Sequence, residues 1–167
     1  MRILVVDDDD DARDLITGAL MSAGYVDIVT AASAWEALLI LDVGRTSKAP
    51  PPVDIVLLDV VMPEMDGVQA CKRIRSAPQY ADLPIIMLTS LDDGNSVVDA
   101  FLAGATDYIT KPLNLVELIA RVRTARSKVK AEAEGSKDWE KDYILNRELT
   151  RATISSHRRA MGGRSGN

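Results

Sequence analysis

The chain has 167 residues, 47% of them hydrophobic, which is enough for a full core and excludes a disordered polypeptide. Aromatics are only 4%, so that core must be aliphatic. Formal net charge is −5 but uneven: residues 136–167 carry seven Lys/Arg and four Asp/Glu, leaving 13 and 21 for the rest, an acidic body that argues against broad nucleic-acid binding there.

Met1-Arg2 leads straight into a short apolar run and then acid, so no signal peptide is expected at this start. Arg2 to Val6 reads as a first strand. Ala12 to Ala23 reads as a helix with Leu15, Ile16, Ala19 and Leu20 on one face, stopped by Gly24. Val26 to Ala31 is a second strand. Ser33 followed by Glu36 is a capping-box signature that opens a helix to about Leu41. Residues 44–53 hold a proline run and read as a loop, and Ile55 to Leu58 is apolar throughout, as a central parallel strand should be.

Gly67 to Ser76 is the next predicted helix, and it contains Cys71. A lone cysteine permits no intrachain disulfide and fits a reducing, cytoplasmic setting; within this helix it reads as a small buried thiol. Pro84 to Thr89 is a fourth strand. Asp92, Asp93 and Asn95 offer caps for a helix to Ala103, ended by Gly104, and Asp107 to Thr110 is a short fifth strand. Asn114 with Glu117 caps a last helix that can run to Glu134, where Leu115, Leu118, Val122, Ala125 and Val129 mark the docking stripe. Five alternating strand–helix units imply an α/β fold, a parallel sheet covered on both faces. No apolar run approaches the ~20 residues of a membrane span.

Two of these strands end in acid. Asp7 and Asp8 follow Val6, and Asp59 follows Leu58. Carboxylates at the carboxyl edge of a parallel sheet form one pocket, which is where open α/β sheets place their sites. Three acids in one pocket repel and raise one another's pKa unless a divalent cation intervenes, and Mg²⁺ suits a few carboxylates plus waters and phosphate oxygens. Asp59 is the expected nucleophile. Asp9, Asp10 and Asp11 read as cap and first-turn residues, and Asp66 as a cap or turn.

Val6-Asp7-Asp8, Leu58-Asp59 with Met62-Pro63 and Asp66-Gly67, Leu88-Thr89-Ser90, and Tyr108 with Lys111-Pro112 fall at strand ends in a fixed order. In these the chain resembles the response-regulator receiver domains of bacterial two-component signalling, over about residues 1–130, with 131–167 as a helical extension ending in a basic segment. The resemblance implies a flavodoxin-like, doubly wound sheet of order 2-1-3-4-5. It implies phosphorylation on Asp59 by a sensor histidine kinase or a phosphotransfer protein. Asp8, Asp59 and the Val61 backbone carbonyl would ligate Mg²⁺, with Asp7 acting through a water. Thr89 and Lys111 would hold phosphoryl oxygens, and Thr89 and Tyr108 would form the switch. Lys111-Pro112 is expected to be cis, as the family shows it and as X-Pro bonds tolerate.

Such a domain is a phospho-acceptor that assists its own transfer and dephosphorylation rather than an enzyme. A dimer through the fourth predicted helix, the fifth strand and the last helix is the expected output, with Asp99, Asp107, Glu117, Arg121 and Arg123 as candidates for interchain pairs. Apolar Val61 and Leu91, where fast-hydrolysing relatives carry polar groups, imply a long-lived phosphoryl group. A phosphatase of the haloacid-dehalogenase type is excluded, because its second acid would fall at Val61. A phosphorylation-independent docking domain would have lost an acid, Thr89 or Lys111, and none is missing. His157, in a polar tail, lacks the helical-bundle context of a phosphorelay histidine. Residues 137–155 can form one helix around Trp139, Tyr143, Ile144 and Leu149, too little for a winged helix. The chain reads either as a stand-alone regulator or as the receiver of a larger one, such as a diguanylate cyclase.

Overall fold

The computed structural model describes residues 1–44, 53–90 and 102–134, with side chains as far as residue 127. Most of the predicted helix from Asp92, the proline-rich loop and the 136–167 tail lie outside the described residues, as do Leu91, Asp99, Trp139, Tyr143 and His157. Strands β1 (Arg2–Val6), β2 (Asp27–Ala31), β3 (Ile55–Asp59), β4 (Ile85–Ser90) and β5 (Asp107–Lys111) form one parallel sheet of order β2-β1-β3-β4-β5. The helices are α1 (Asp10–Ser22), α2 (Ala34–Ile40), α3 (Gly67–Ser76) and α4 (Leu115–Glu134), with a 3₁₀ turn at Pro78–Tyr80. Residues Met1–Ala125 form one compact unit; Arg126–Asn167 group separately, and of these the structure describes the run of α4 to Glu134.

Strand alternation divides the core in two. Ile3, Val5, Ile55, Leu57, Ile86, Leu88 and Ile109 point to one face, where Ile16 and Leu20 of α1 and Leu118, Val122 and Ala125 of α4 cover them. Leu4, Val6, Val56, Leu58, Ile85 and Met87 point to the other, against Ala37 and Leu38 of α2 and Cys71 and Ile74 of α3. Both faces being covered, β3 is buried at all five positions, which is why it reads as an unbroken apolar run.

The helix starts are set by side-chain caps. Asp9, Ser33, Asp66 and Asn114 each accept a backbone N–H of the helix they precede, at 3.0, 3.2, 2.7 and 3.0 Å. Glu36 reaches back to the Ala32 N–H at 2.7 Å, one residue before the position a capping box requires. On the opposite side of the fold, Arg75 of α3 donates to the carbonyls of Gly104 (2.8 Å) and Tyr80 (2.7 Å) and so ties the turn before β5 to the body.

Two expectations are corrected. Leu15, expected on the buried face of α1, is 51% exposed, and only Ile16 and Leu20 of that helix are buried. Arg121, expected among surface charges available to a second chain, is the other. It is 4% exposed and pairs within the chain, with Asp107 and with Glu117, the latter at 2.7 Å. A guanidinium that far from water needs carboxylates to compensate it, and β5 and α4 supply both.

Candidate functional site

The site forms where β1, β3, β4 and β5 end. Ladder register aligns Val6 with Leu58, Asp59 with Leu88, Thr89 with Thr110 and Ser90 with Lys111. Alternation then decides which way each side chain faces. Asp7, Asp59 and Lys111 share parity with Val5, Leu57 and Ile109, so they face the α1/α4 side. Thr89 and Tyr108 share the parity of the opposite face, where Tyr108 packs against the core.

Asp7 and Asp59 are buried, and Asp8 is exposed at the mouth; one carboxylate oxygen from each of the three lies within 4.8 Å of the other two. The Lys111 ammonium bridges the two buried acids, 3.0 Å from Asp7 Oδ2 and 2.8 Å from Asp59 Oδ1. The Lys111–Pro112 peptide is cis, as expected. Burial pushes the Asp59 carboxyl above the ordinary aspartate range; the Lys111 hydrogen bond and charge pull it back, and the charges of Asp7 and Asp8 push it up again. Burial lowers the Lys111 ammonium, but the hydrogen bonds and charges of Asp59 and Asp7 outweigh that and raise it, so the lysine stays charged.

Among the described residues, three carboxyl groups face one ammonium at this sheet edge, an excess of acid over base. A hard divalent cation bound by oxygen matches that excess in charge and donor type. Thr89, one residue past the Asp59 partner Leu88 on β4, is buried, and its hydroxyl donates to the Ser90 carbonyl at 3.3 Å. Val61 lies on the rim, 68% exposed. Asp9, Asp10 and Asp11 serve α1 as N-cap and first-turn acids, and Asp66 caps α3.

The role of Arg13 and the close approach of Gly67 are not legible in the sequence. Arg13 of α1 donates through Nη1 to the Asp7 carbonyl at 2.6 Å; its spacing of three from Asp10 was the available signal. Gly67 sits against the backbone of Asp59, and nothing in its motif distinguishes that close approach from an ordinary helix start.

Residues 3–123 match the family model described as response regulator receiver domain. The chain belongs to that family. The chain is 38% identical over 144 residues to the transcriptional regulatory protein YvrH of Bacillus subtilis (strain 168), covering 85% of this chain and 56% of that one. It is 36% identical over 122 residues to the DNA-binding dual master transcriptional regulator RpaA of Synechocystis sp., covering 73% and 47%. The chain thus spans about half the length of these curated relatives. Among solved structures it is similar to the signal receiver domain of a signal transduction histidine kinase from Syntrophus aciditrophicus, with TM-score 0.67, 33% identity and 77% and 92% of the two chains covered. It is also similar to the chemotaxis protein CheY4 of Vibrio cholerae, with TM-score 0.64, 31% identity and coverage of 74% and 97%. Receiver domains bind Mg²⁺ at an acidic pocket and work with histidine kinases or phosphotransfer proteins, and they are not enzymes in the usual sense. No helix among the described residues is long and apolar enough to cross a membrane.

Proposed function

We propose that this receiver accepts a phosphoryl group on Asp59 from a phosphohistidine donor and works as a phosphorylation-controlled switch. The observation that carries the reading is the single ammonium of Lys111 shared between buried Asp7 and Asp59, 3.0 and 2.8 Å away, with Asp8 open at the mouth. An Asp59 carboxylate oxygen attacks phosphorus. A P–O bond forms as the P–N bond breaks, and the electron pair leaves on the imidazole nitrogen, which takes up a proton. Such a transfer needs mainly positioning and charge stabilisation. The ladder supplies the first by fixing Asp59, Thr89 and Lys111 at neighbouring strand ends. Lys111 supplies part of the second by exchanging a carboxylate oxygen for a phosphoryl oxygen, and the Thr89 hydroxyl donates to another. Asp8, Asp59 and the Val61 carbonyl are the proposed Mg²⁺ ligands, with Asp7 acting through a water; the ion would neutralise charge developing on the phosphoryl oxygens.

The receiver takes residues 1–130 in this reading, and 131–167 connect it onward. Thr89 and Tyr108 lie on the same side of adjacent strands, so a move of Thr89 toward the phosphoryl group opens room that Tyr108 can enter. A homodimer through the α4–β5 side then depends on apolar contacts such as Val116, 80% exposed, since Arg121 and Asp107 are already engaged within the chain. The names of the relatives favour transcription as the process controlled, ahead of a cyclase output. The test is labelling with acetyl phosphate. Wild type should be modified only with Mg²⁺ present and Asp59→Asn not at all; equal labelling of the variant, or indifference to chelator, would refute the assignment.

A further inference from the structure

We propose that Arg13 is a positioning residue for cation binding: its guanidinium clamps the Asp7 carbonyl, and through it the peptide from which the Asp8 carboxylate projects. The inference rests on the reading of Asp7, Asp8 and Asp59 as the cation site. Asp8 is exposed, so packing does not steer its side chain, and its direction must come from the backbone on either side. That backbone is anchored group by group. The Asp7 N–H donates to the Ala31 carbonyl at 3.3 Å. Asp7 Oδ1 accepts the Asp9 N–H at 3.0 Å, and Oδ2 accepts Lys111 at 3.0 Å. Asp9 is held in turn as the cap of α1.

The remaining group of Asp7 is its carbonyl oxygen, and Arg13 Nη1 donates to it at 2.6 Å. Nη2 of the same guanidinium pairs with the Asp10 carboxylate, and the Arg13 side chain is only 14% exposed. The planar fork therefore spans the β1–α1 turn, with one nitrogen before Asp8 and one after it. Lysine can donate to two acceptors only where both converge on one nitrogen, and it lacks the planar two-nitrogen fork that reaches acceptors on either side of Asp8 here.

Charge and position make opposite predictions here. A guanidinium beside a cation site repels the cation, so on charge alone its removal strengthens binding. A positioning role predicts that removal weakens binding, as loss of an outer-shell partner commonly does by tenfold or more. The experiment is Mg²⁺ affinity of the full chain by isothermal titration calorimetry, for wild type, Arg13→Lys and Arg13→Gln. Both variants are expected to bind about tenfold more weakly, although one keeps the charge and the other removes it. Acetyl phosphate labelling should recover to near wild type at saturating Mg²⁺, which a misfolded site could not do. Tighter binding by Arg13→Gln, wild-type affinity in Arg13→Lys, or labelling that added Mg²⁺ does not restore would each overturn the inference. Absence of Mg²⁺ binding in the wild type would overturn the underlying site reading and this one with it, whereas unchanged variants beside a binding wild type overturn this one alone.

Discussion

Gly67 leaves no room for a side chain beside Asp59: a Cβ built on it would lie 2.1 Å from the Asp59 carbonyl oxygen and 2.9 Å from Val60 Cα. The Gly67 N–H also donates to the Val60 carbonyl at 2.9 Å, so the first residue of α3 is seated on the strand end that presents the acceptor. Backbone meets backbone here, and neither side can rotate away. Gly67→Ala is therefore expected to cost about 1–3 kcal/mol by overpacking and to slow Asp59 labelling. Urea unfolding together with acetyl phosphate labelling measures both; a variant as stable and as readily labelled as wild type would contradict the contact.

The Asp59 carboxyl is raised above its unfolded value, first by burial and then by Asp7 and Asp8, with Lys111 opposing. A raised acid contributes stability that is fully present below the unfolded pKa and is lost as pH climbs through the folded one. At neutral pH without metal, the ionised Asp59 thus weakens the fold. Asp59→Asn removes that charge while its amide oxygen can still accept from Lys111. The variant should be more stable than wild type at pH 7 in chelator, and the difference should shrink as pH falls through the raised folded value and be gone below about 4. Urea midpoints at the two pH values decide it; a gain that grows on acidification has the wrong sign.

Glu64 adopts a left-handed backbone with φ of 65° in the turn between β3 and α3. That conformation costs a residue with a side chain roughly 1–2 kcal/mol, while glycine gives back about 0.4–1 kcal/mol through its freer unfolded chain. Glu64→Gly should then stabilise the protein by about 0.5–1 kcal/mol, seen as a rise of a few degrees in melting temperature. A lower melting temperature would mean that the Glu64 side chain contributes more than its backbone costs.

The phosphoryl group should be long-lived, because hydrolysis needs a water placed in line and Val61, 68% exposed on the rim, offers it no polar group. Val61→Asn introduces one and is expected to shorten the lifetime of phospho-Asp59 about tenfold. Decay of the acyl phosphate after removal of donor is the measurement. Identical decay in both proteins would remove Val61 from the account.

Much of this was legible because it rests on local rules. Apolar runs of strand length gave the sheet, and Asp9, Ser33, Asp66 and Asn114 marked helix starts through the one hydrogen bond a short polar side chain can make there. Asp7, Asp8 and Asp59 stood out because acid directly after a buried strand has few structural uses. What stayed hidden depends on residues far apart in the chain. Glu117 and Arg121 are visibly four apart, but nothing local reveals that Asp107 of β5 closes over the same guanidinium. Tyr80 is buried in a 3₁₀ turn because its hydroxyl donates to the Leu41 carbonyl, 39 residues earlier. Leu15 failed for a geometric reason: a helix advances 100° per residue, so the stripe centred on Ile16 and Leu20 turns its neighbour toward water.

The parity of β5 sets a rule about length. Ile109 and Lys111 face one side of the sheet and Tyr108 and Thr110 the other, so inserting or deleting one residue in this strand would exchange the two sets. The ammonium would leave the carboxylates, with the Thr110 hydroxyl in its place after an insertion and Pro112 after a deletion, although every other residue remained unchanged. Drift in the family can therefore replace side chains along β5 one at a time, but a change in length must come in steps of two or be absorbed before Asp107, in the turn that Arg75 holds through Gly104.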